Sequence, residues 1–149
     1  LPAGKIISNK MKILFICKYN AFRSPVAEEY FKKINKNPKI NVISRGLIIG
    51  GNSDSVERDI AKKLLGVNIS KRNPLPLNIK DLEKSDLIVV VANDIPKIIF
   101  NYQIMPLKKK LVIWKIKDEQ KRNRKNIKKI LLAIKKKVDE LNKKLEKKR

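Results

Sequence analysis

The residues with the clearest capacity for chemistry are Cys17 and Arg23, which stand six positions apart. A thiolate can attack phosphorus and carry the phosphoryl group as a thiophosphate ester, and the planar fork of a guanidinium can bind two phosphoryl oxygens. Two side chains can support them: the Asn20 amide can brace the turn, and the Ser24 hydroxyl can cap the following helix and donate to the sulfur. This pattern predicts a phosphate-binding loop made of Lys18, Tyr19, Asn20, Ala21, Phe22, Arg23 and Ser24.

The elements on either side of the loop predict its position in the fold. Before it, the apolar run 12–16 is typical of a strand buried on both faces. After it, Ser24-Pro25 marks the first turn of a helix, where proline is tolerated. A loop that ends at a helix N-terminus presents backbone N–H groups and a partial positive charge. Such a site suits a phosphate dianion and favours thiolate over thiol.

The rest of the chain continues this alternation. Predicted strands at 40–44, 86–91 and 111–114 alternate with predicted helices at 54–65, around 95–100 and at about 121–147. We therefore predict an α/β fold: a single three-layer domain with a four-stranded parallel sheet, flavodoxin-like right-handed crossovers and helices on both faces. In such a sheet ligands bind at the carboxyl ends of the strands, where the loop after the first strand lies.

The two ends of the chain differ from its body. Residues 1–10 precede Met11 and lack an initiating methionine, so we interpret them as a leader or expression remnant and assign 11–149 to one domain. That domain includes the long basic C-terminal helix, whose apolar stripe predicts packing on the sheet. The chain carries 37 basic and 14 acidic residues, and 14 of the basic ones lie in 121–149. This charge predicts weak, nonspecific association with nucleic acid through the basic surface.

Composition also excludes several kinds of chemistry. The sequence holds one cysteine and no histidine, so it lacks an internal disulfide, the commonest metal ligand and the commonest general base. We expect catalysis without metal or cofactor, in which the acid–base steps fall to carboxylates, lysine, tyrosine or the thiol. No apolar run approaches the roughly 20 residues that cross a bilayer. The expectation is a cytoplasmic monomer with no membrane partner.

Beyond its spacing, the segment 15–28 resembles the phosphate loop of the low-molecular-weight protein tyrosine phosphatases. Relatives of that family include bacterial arginine-phosphate phosphatases and thioredoxin-coupled arsenate reductases. Ser44-Arg45-Gly46 is similar to the family's Ser-x-Gly after the second strand, and 85–91 is similar to its third strand. The resemblance, which covers most of 11–118, implies a four-stranded parallel sheet, a cysteine nucleophile and a loop arginine. It also implies an aspartate general acid on a late loop, usually followed by proline.

Asp118 matches the family's general acid by its place after the last predicted strand. Its implied role is to protonate the leaving oxygen and then to activate the water that hydrolyses the cysteinyl phosphate. Glu119 stands where the family has proline, and it is the alternative acid. We interpret Asp86 and Asp94 as strand-end and helix-start residues.

The resemblance leaves the substrate open. Tyr19 replaces a frequent loop glycine, which requires an ordinary backbone geometry there, and Phe22 takes the place of a second loop cysteine. Ala21 occupies a position whose size separates tyrosine-phosphate from arginine-phosphate specificity in the family, and alanine matches neither choice. The predicted substrate pocket consists of Tyr19, Ile48, Ile49 and Tyr102.

The predicted function is metal-independent hydrolysis of a phosphomonoester on a phosphorylated protein, with phosphotyrosine as substrate and a cysteinyl-phosphate intermediate. Two alternatives stay open: an arginine-phosphate phosphatase, and a non-catalytic module that binds phosphate or nucleic acid through the basic surface. Thioredoxin-coupled arsenate reduction shuttles oxidation through further cysteines, which this sequence lacks. We therefore predict a phosphatase rather than a reductase.

Overall fold

The computed structural model describes residues 10–70, 72–96, 111–117 and 123–147. The strands are β1 (Met11–Cys17), β2 (Ile40–Gly46), β3 (Leu87–Val91) and β4 (Leu111–Trp114). The helices are α1 (Arg23–Ile34), α2 (Ser55–Leu65), α3 (Ile79–Lys84) and α4 (Arg124–Lys147). The strands pair in parallel in the order β2-β1-β3-β4, which confirms the predicted four-stranded parallel sheet.

Strand β1 lies inside the sheet because its residues are apolar on both faces. Ile13 and Phe15 belong to the core on one face, Leu14 and Ile16 to the core on the other, and all four are fully buried. Helices α1, α2 and α4 cover the first face, and α3 with neighbouring loops covers the second. The predicted α/β class is confirmed, with Cys17 at the carboxyl end of an inner strand.

The long C-terminal helix packs through its apolar stripe but starts later than predicted. It contacts α1 and α2. Its buried side chains are Ile127, Ile130, Leu131, Ile134 and Val138. The helix begins at Arg124 because the Asn123 side chain accepts the Asn126 backbone N–H at 2.9 Å, as an N-cap does. Of the predicted leader, only Lys10 belongs to the described residues, and most of the short helix predicted around 95–100 lies outside them. None of the described helices is long and apolar enough to span a bilayer.

Candidate active site

The predicted phosphate loop connects β1 to α1 at the carboxyl edge of the sheet. Cys17 ends β1 and Arg23 begins α1, so residues 18–22 form the loop. Leu47 N–H donates to the Cys17 carbonyl at 3.0 Å and Ile48 N–H to the Lys18 carbonyl at 3.0 Å, which extends the pairing of β1 with β2 into the loop. The first N–H groups of a helix have no intrahelical partner. The N-terminus of α1 therefore directs donors and a partial positive charge towards the loop.

Asn20 holds the loop in its bend. It is the one non-glycine residue with a positive φ in the described part of the chain, at 55°, a conformation that asparagine tolerates. Its Oδ1 accepts the Leu75 backbone N–H at 3.0 Å, and this donor fixes the orientation of the amide. The Nδ2 group therefore donates to Ser24 Oγ at 2.8 Å and to Ser44 Oγ at 2.9 Å. Tyr19 has the ordinary backbone geometry that the sequence predicts.

Ser24 connects Asn20 to the candidate nucleophile. Its Oγ lies 3.0 Å from Cys17 Sγ. This oxygen also accepts a hydrogen bond from Asn20, and either the Ser24 hydroxyl or the Cys17 thiol can donate in the contact with the sulfur; towards a thiolate only the hydroxyl can donate. The prediction that Ser24 caps the helix is wrong: Phe22 occupies the N-cap position, and among the described residues no side chain caps α1. The Ser24 hydroxyl is instead engaged by the sulfur and by the loop amide.

A buried ion pair between Glu28 and Arg72 supports the loop through Ser44. Ser44 Oγ donates to Glu28 Oε1 at 2.7 Å, and Arg72 Nη2 lies 2.6 Å from the same oxygen. Burial opposes ionisation of Glu28, but hydrogen bonds from Arg72, Lys32 and Ser44 outweigh it and hold the pKa of this carboxyl below its usual value. Sequence analysis missed both members of the pair. One feature of the sequence could have indicated Glu28: it lies in the first turns of a helix, on the face that packs against the sheet.

We expect Glu28→Gln to destabilise the protein at neutral pH, because Arg72 loses its nearest and most buried counter-charge. Loss of one partner from a buried pair costs about 3–5 kcal/mol. Since the folded-state pKa of Glu28 is lowered, its contribution is present above the unfolded pKa and is lost as the pH falls through the folded pKa. Urea unfolding at a series of acidic pH values should therefore show wild type and variant converging as the pH falls.

The matched control for this experiment is Glu29→Gln. The Glu29 carboxylate is more exposed and lies 3.8 Å from Arg72, so its loss should cost less than about 1 kcal/mol. Equal destabilisation by the two substitutions would contradict the role given to Glu28.

Arg23 is buried at the same edge of the sheet, with its guanidinium directed towards the segment after β4. Nη1 donates to the Ile116 carbonyl at 3.0 Å, and Nη2 contacts the Asp94 carboxylate oxygens at 3.2 and 3.3 Å. The interpretation of Asp94 as a helix-start residue missed this ion pair, because 71 positions separate the partners along the chain. Asp94 and the Ile116 carbonyl thus fix the orientation of the guanidinium.

Two glycines allow the end of β2 and the segment after it to approach the loop closely. A Cβ at Gly46 would lie 2.6 Å from the backbone carbonyl carbon of Tyr19 and 2.7 Å from the backbone nitrogen of Asn20. A Cβ at Gly50 would lie 2.5 Å from the Tyr19 ring. In the same segment Ile48 is 48% exposed and Ile49 is 72% exposed. Apolar surface is therefore presented to solvent beside the loop.

The structure brings some of the predicted site residues together and leaves others undescribed. Four of them are brought together at the carboxyl edge of β1: Cys17, Asn20, Arg23 and Ser24. Three lie outside the described residues: Asp118, Glu119 and Tyr102. Asp86 lies away from the loop, where its carboxylate accepts the Lys12 backbone N–H at the amino edge of the sheet.

Comparison with known proteins shows the family. The model of the low molecular weight phosphotyrosine protein phosphatases matches residues 12–149. The chain belongs to this family. Members of the low molecular weight phosphatase family are cysteine-dependent phosphatases or related arsenate reductases. The resemblance of the loop to that family is thus confirmed over nearly the whole chain.

Individual members of the low molecular weight phosphatase family are named for different activities. Arsenate reductase 2 of Staphylococcus epidermidis is 33% identical over 111 residues, covering 74% of this chain and 79% of that protein. A low molecular weight protein tyrosine phosphatase from T. tengcongensis has a TM-score of 0.77 at 24% identity, covering 90% of this chain and 99% of that one. The YwlE arginine phosphatase from Geobacillus stearothermophilus has a TM-score of 0.77 at 19% identity, covering 93% of this chain and 94% of that one. The two structural likenesses show the shared fold.

Proposed function

We propose that this protein hydrolyses phosphomonoesters without a metal ion, through a phosphoryl group carried on Cys17. The observation that carries this proposal is the 3.0 Å contact between Cys17 Sγ and Ser24 Oγ beside the N-terminus of α1. The Ser24 hydroxyl can donate a hydrogen bond to the sulfur nucleophile, and the positive helix end attracts the phosphate dianion. Arg23, buried at the same loop and oriented by Asp94, supports the proposal because a guanidinium would bind the equatorial phosphoryl oxygens.

The proposed reaction consists of two displacements at phosphorus. In the first, the Cys17 thiolate forms the S–P bond while the ester P–O bond breaks, and the leaving oxygen takes a proton from Asp118. In the second, Asp118 takes a proton from water, whose oxygen attacks phosphorus and breaks the S–P bond to release inorganic phosphate. Arg23 and the loop N–H groups would hold the charge on the equatorial oxygens. Asp118 is proposed on its place in the sequence, two residues after the carbonyl that binds Arg23.

The direct test is hydrolysis of p-nitrophenyl phosphate in the presence of a metal chelator, with inorganic phosphate and nitrophenolate measured together. We expect equal amounts of both products and the same rate with and without the chelator. A requirement for added metal, or the absence of turnover under all conditions, would reject the proposal.

Asp118→Asn is expected to lower kcat by about 10²-fold or more, because the water in the second displacement loses its general base. Formation of the phosphocysteine from p-nitrophenyl phosphate should suffer less, since nitrophenolate needs little help from an acid. Rapid-quench measurements should therefore show a burst of nitrophenolate followed by slow turnover. Glu119→Gln is the matched control, and a larger defect in that variant would assign the acid to Glu119.

For the substrate class we propose phosphotyrosine on a protein. Support comes from the Tyr19 ring and from the exposed Ile48 and Ile49, which offer apolar surface beside the loop to a phenyl ring. Phosphoarginine is the alternative, since isoleucine side chains also pack against an aliphatic stem. Peptides that differ only in the phosphorylated residue provide the test. A kcat/KM about tenfold higher for the phosphoarginine peptide would overturn the assignment.

Arsenate reduction is the second candidate, because relatives at 33% and 34% identity are arsenate reductases. Arsenate is a tetrahedral oxyanion and would bind the same loop. In its reduction a thiol attacks the sulfur of the Cys17–arsenate adduct, a disulfide forms and arsenite leaves with the electron pair. Cys17 is the only cysteine of this sequence, so that thiol would be external. Arsenite formation in the presence of a dithiol protein or a small thiol, without p-nitrophenyl phosphate turnover, would favour this candidate.

A further inference from the structure

A cavity of about 560 Å³ lies at the amino edge of the sheet, opposite the edge that carries Cys17. Its walls come from the starts of β1 and β2, the turn before β2 and the end of α3. Four lysines line it: Lys10, Lys12, Lys39 and Lys84. We call this the amino-edge cavity. Neither the candidate reaction nor the family comparison gives it a role.

Hydrogen bonds hold the backbone around the amino-edge cavity in a fixed frame. Met11 N–H donates to the Lys39 carbonyl at 3.0 Å, which joins the turn before β2 to β1. Asp86 N–H donates to the Lys12 carbonyl at 2.8 Å, and the Asp86 carboxylate accepts the Lys12 N–H at 2.7 Å. These bonds join the residues after α3 to the same strand. The lysines therefore stay together in the folded protein although they come from separate parts of the chain.

The amino-edge cavity carries an excess of positive charge. The carboxylate that lines it belongs to Asp86, and this group already accepts the Lys12 backbone N–H. Within the described ranges, no carboxylate forms an ion pair with the four lysines, whereas other lysines of the protein are paired, as Lys32 is with Glu28. Ammonium groups that line one space repel each other wherever they approach within about 8 Å, the distance over which physiological salt screens charge. Binding of a multiply charged anion would relieve this repulsion.

We propose that the amino-edge cavity binds a condensed phosphate chain, either free or as the phosphate tail of a nucleotide. Four lysines and one aspartate leave a local excess of three positive charges, which exceeds the charge of about −1.5 to −2 on a single phosphate group, whereas a chain of phosphates carries enough negative charge to neutralise it. Lysine binds phosphate as a point charge on a flexible stem, so four of them can follow an extended chain of phosphates. The apolar side chains of Met11, Pro38 and Ile40 on the same walls would contact the organic part of a nucleotide.

The test is calorimetric titration of the full chain at about 0.15 M salt with four probes: tripolyphosphate, ATP, AMP and adenosine. The variant carries Lys12→Gln, Lys39→Gln and Lys84→Gln. Its matched control carries Lys125→Gln, Lys129→Gln and Lys136→Gln on the exposed side of α4, so both lose the same net charge. Both variants keep the catalytic loop, so any binding of a probe to that loop contributes equally to the affinities measured for the two variants. Turnover of p-nitrophenyl phosphate and thermal melting check that both variants fold.

We expect the cavity variant to lose affinity for tripolyphosphate by at least about tenfold and the α4 control by less than about threefold. Tighter binding of ATP than of tripolyphosphate would identify a nucleotide, and equal binding would identify the phosphate chain alone. Equal losses in both variants, or no binding by wild type, would overturn the proposal. As a check that needs no variant, backbone amide shifts of wild type on adding tripolyphosphate should concentrate at Lys12, Lys39 and Asn41. Shifts confined to the loop or to α4 would also overturn it.

Discussion

Replacing Cys17 by serine is expected to lower kcat for p-nitrophenyl phosphate by at least about 10³-fold. The serine hydroxyl is a much weaker nucleophile than a thiolate, and the sequence holds no second cysteine and no histidine to replace it. The variant should keep its affinity for inorganic phosphate, because Arg23 and the N-terminus of α1 are unchanged. Steady-state kinetics, phosphate titration and thermal melting together separate loss of the nucleophile from loss of the fold.

The same chemistry predicts an intermediate that can be isolated. Wild-type protein quenched during turnover should carry one phosphoryl group on the peptide that contains Cys17, as measured by mass spectrometry. Undiminished turnover in Cys17→Ser, or a phosphoryl group on another residue, would reject the nucleophile. Unchanged melting with loss of phosphate binding would show instead that the sulfur itself holds the anion in the loop.

Arg23→Lys is expected to lower kcat/KM by about 10²- to 10³-fold, the usual effect of removing one donor that stabilises a transition-state oxyanion. A lysine ammonium cannot contact two phosphoryl oxygens in one plane. It also cannot keep both the bond to the Ile116 carbonyl and the paired contacts to Asp94. The measurement is kcat/KM for p-nitrophenyl phosphate, with the melting temperature recorded for each variant.

Arg45→Lys is the matched control for Arg23→Lys. Arg45 is partly buried and, like Arg23, pairs with a carboxylate, that of Asp81 at 3.0 Å, but no described contact joins its side chain to the phosphate loop. Its substitution should lower stability without a comparable fall in kcat/KM at a temperature where the protein is folded. A similar fall in both variants would show that Arg23 acts through stability rather than through the phosphoryl group.

The elements around the loop could be predicted from local patterns in the sequence. The apolar run before Cys17 and the Ser24-Pro25 pair after Arg23 depend on neighbouring residues only, so a strand, a loop and a helix follow from them. The four-stranded parallel sheet follows from the alternation of such runs. Elements whose formation depends on neighbouring residues can therefore be predicted from the sequence alone.

The contacts that orient the loop could not be predicted, because they join residues far apart in the chain. Asp94 meets Arg23 across 71 positions, and Arg72 meets Ser44 across 28. The misassigned cap has a related reason: the Ser24 hydroxyl has two better partners, Cys17 and Asn20, and only the folded loop brings the sulfur within reach. The spacing of residues along the sequence does not show which of several partners a side chain will bind in the folded protein.

The left-handed bend at Asn20 has a consequence for how the protein acquires its activity. Its amide oxygen is bonded to the Leu75 backbone, 55 positions away, and its amide nitrogen to Ser44 on the neighbouring strand. These bonds form only when β2 and the segment before α3 have docked onto β1. A nascent or partly unfolded chain that contains an intact loop sequence would therefore be inactive. Phosphatase activity in a denaturant series should disappear together with tertiary structure, which makes catalysis a reporter of complete folding.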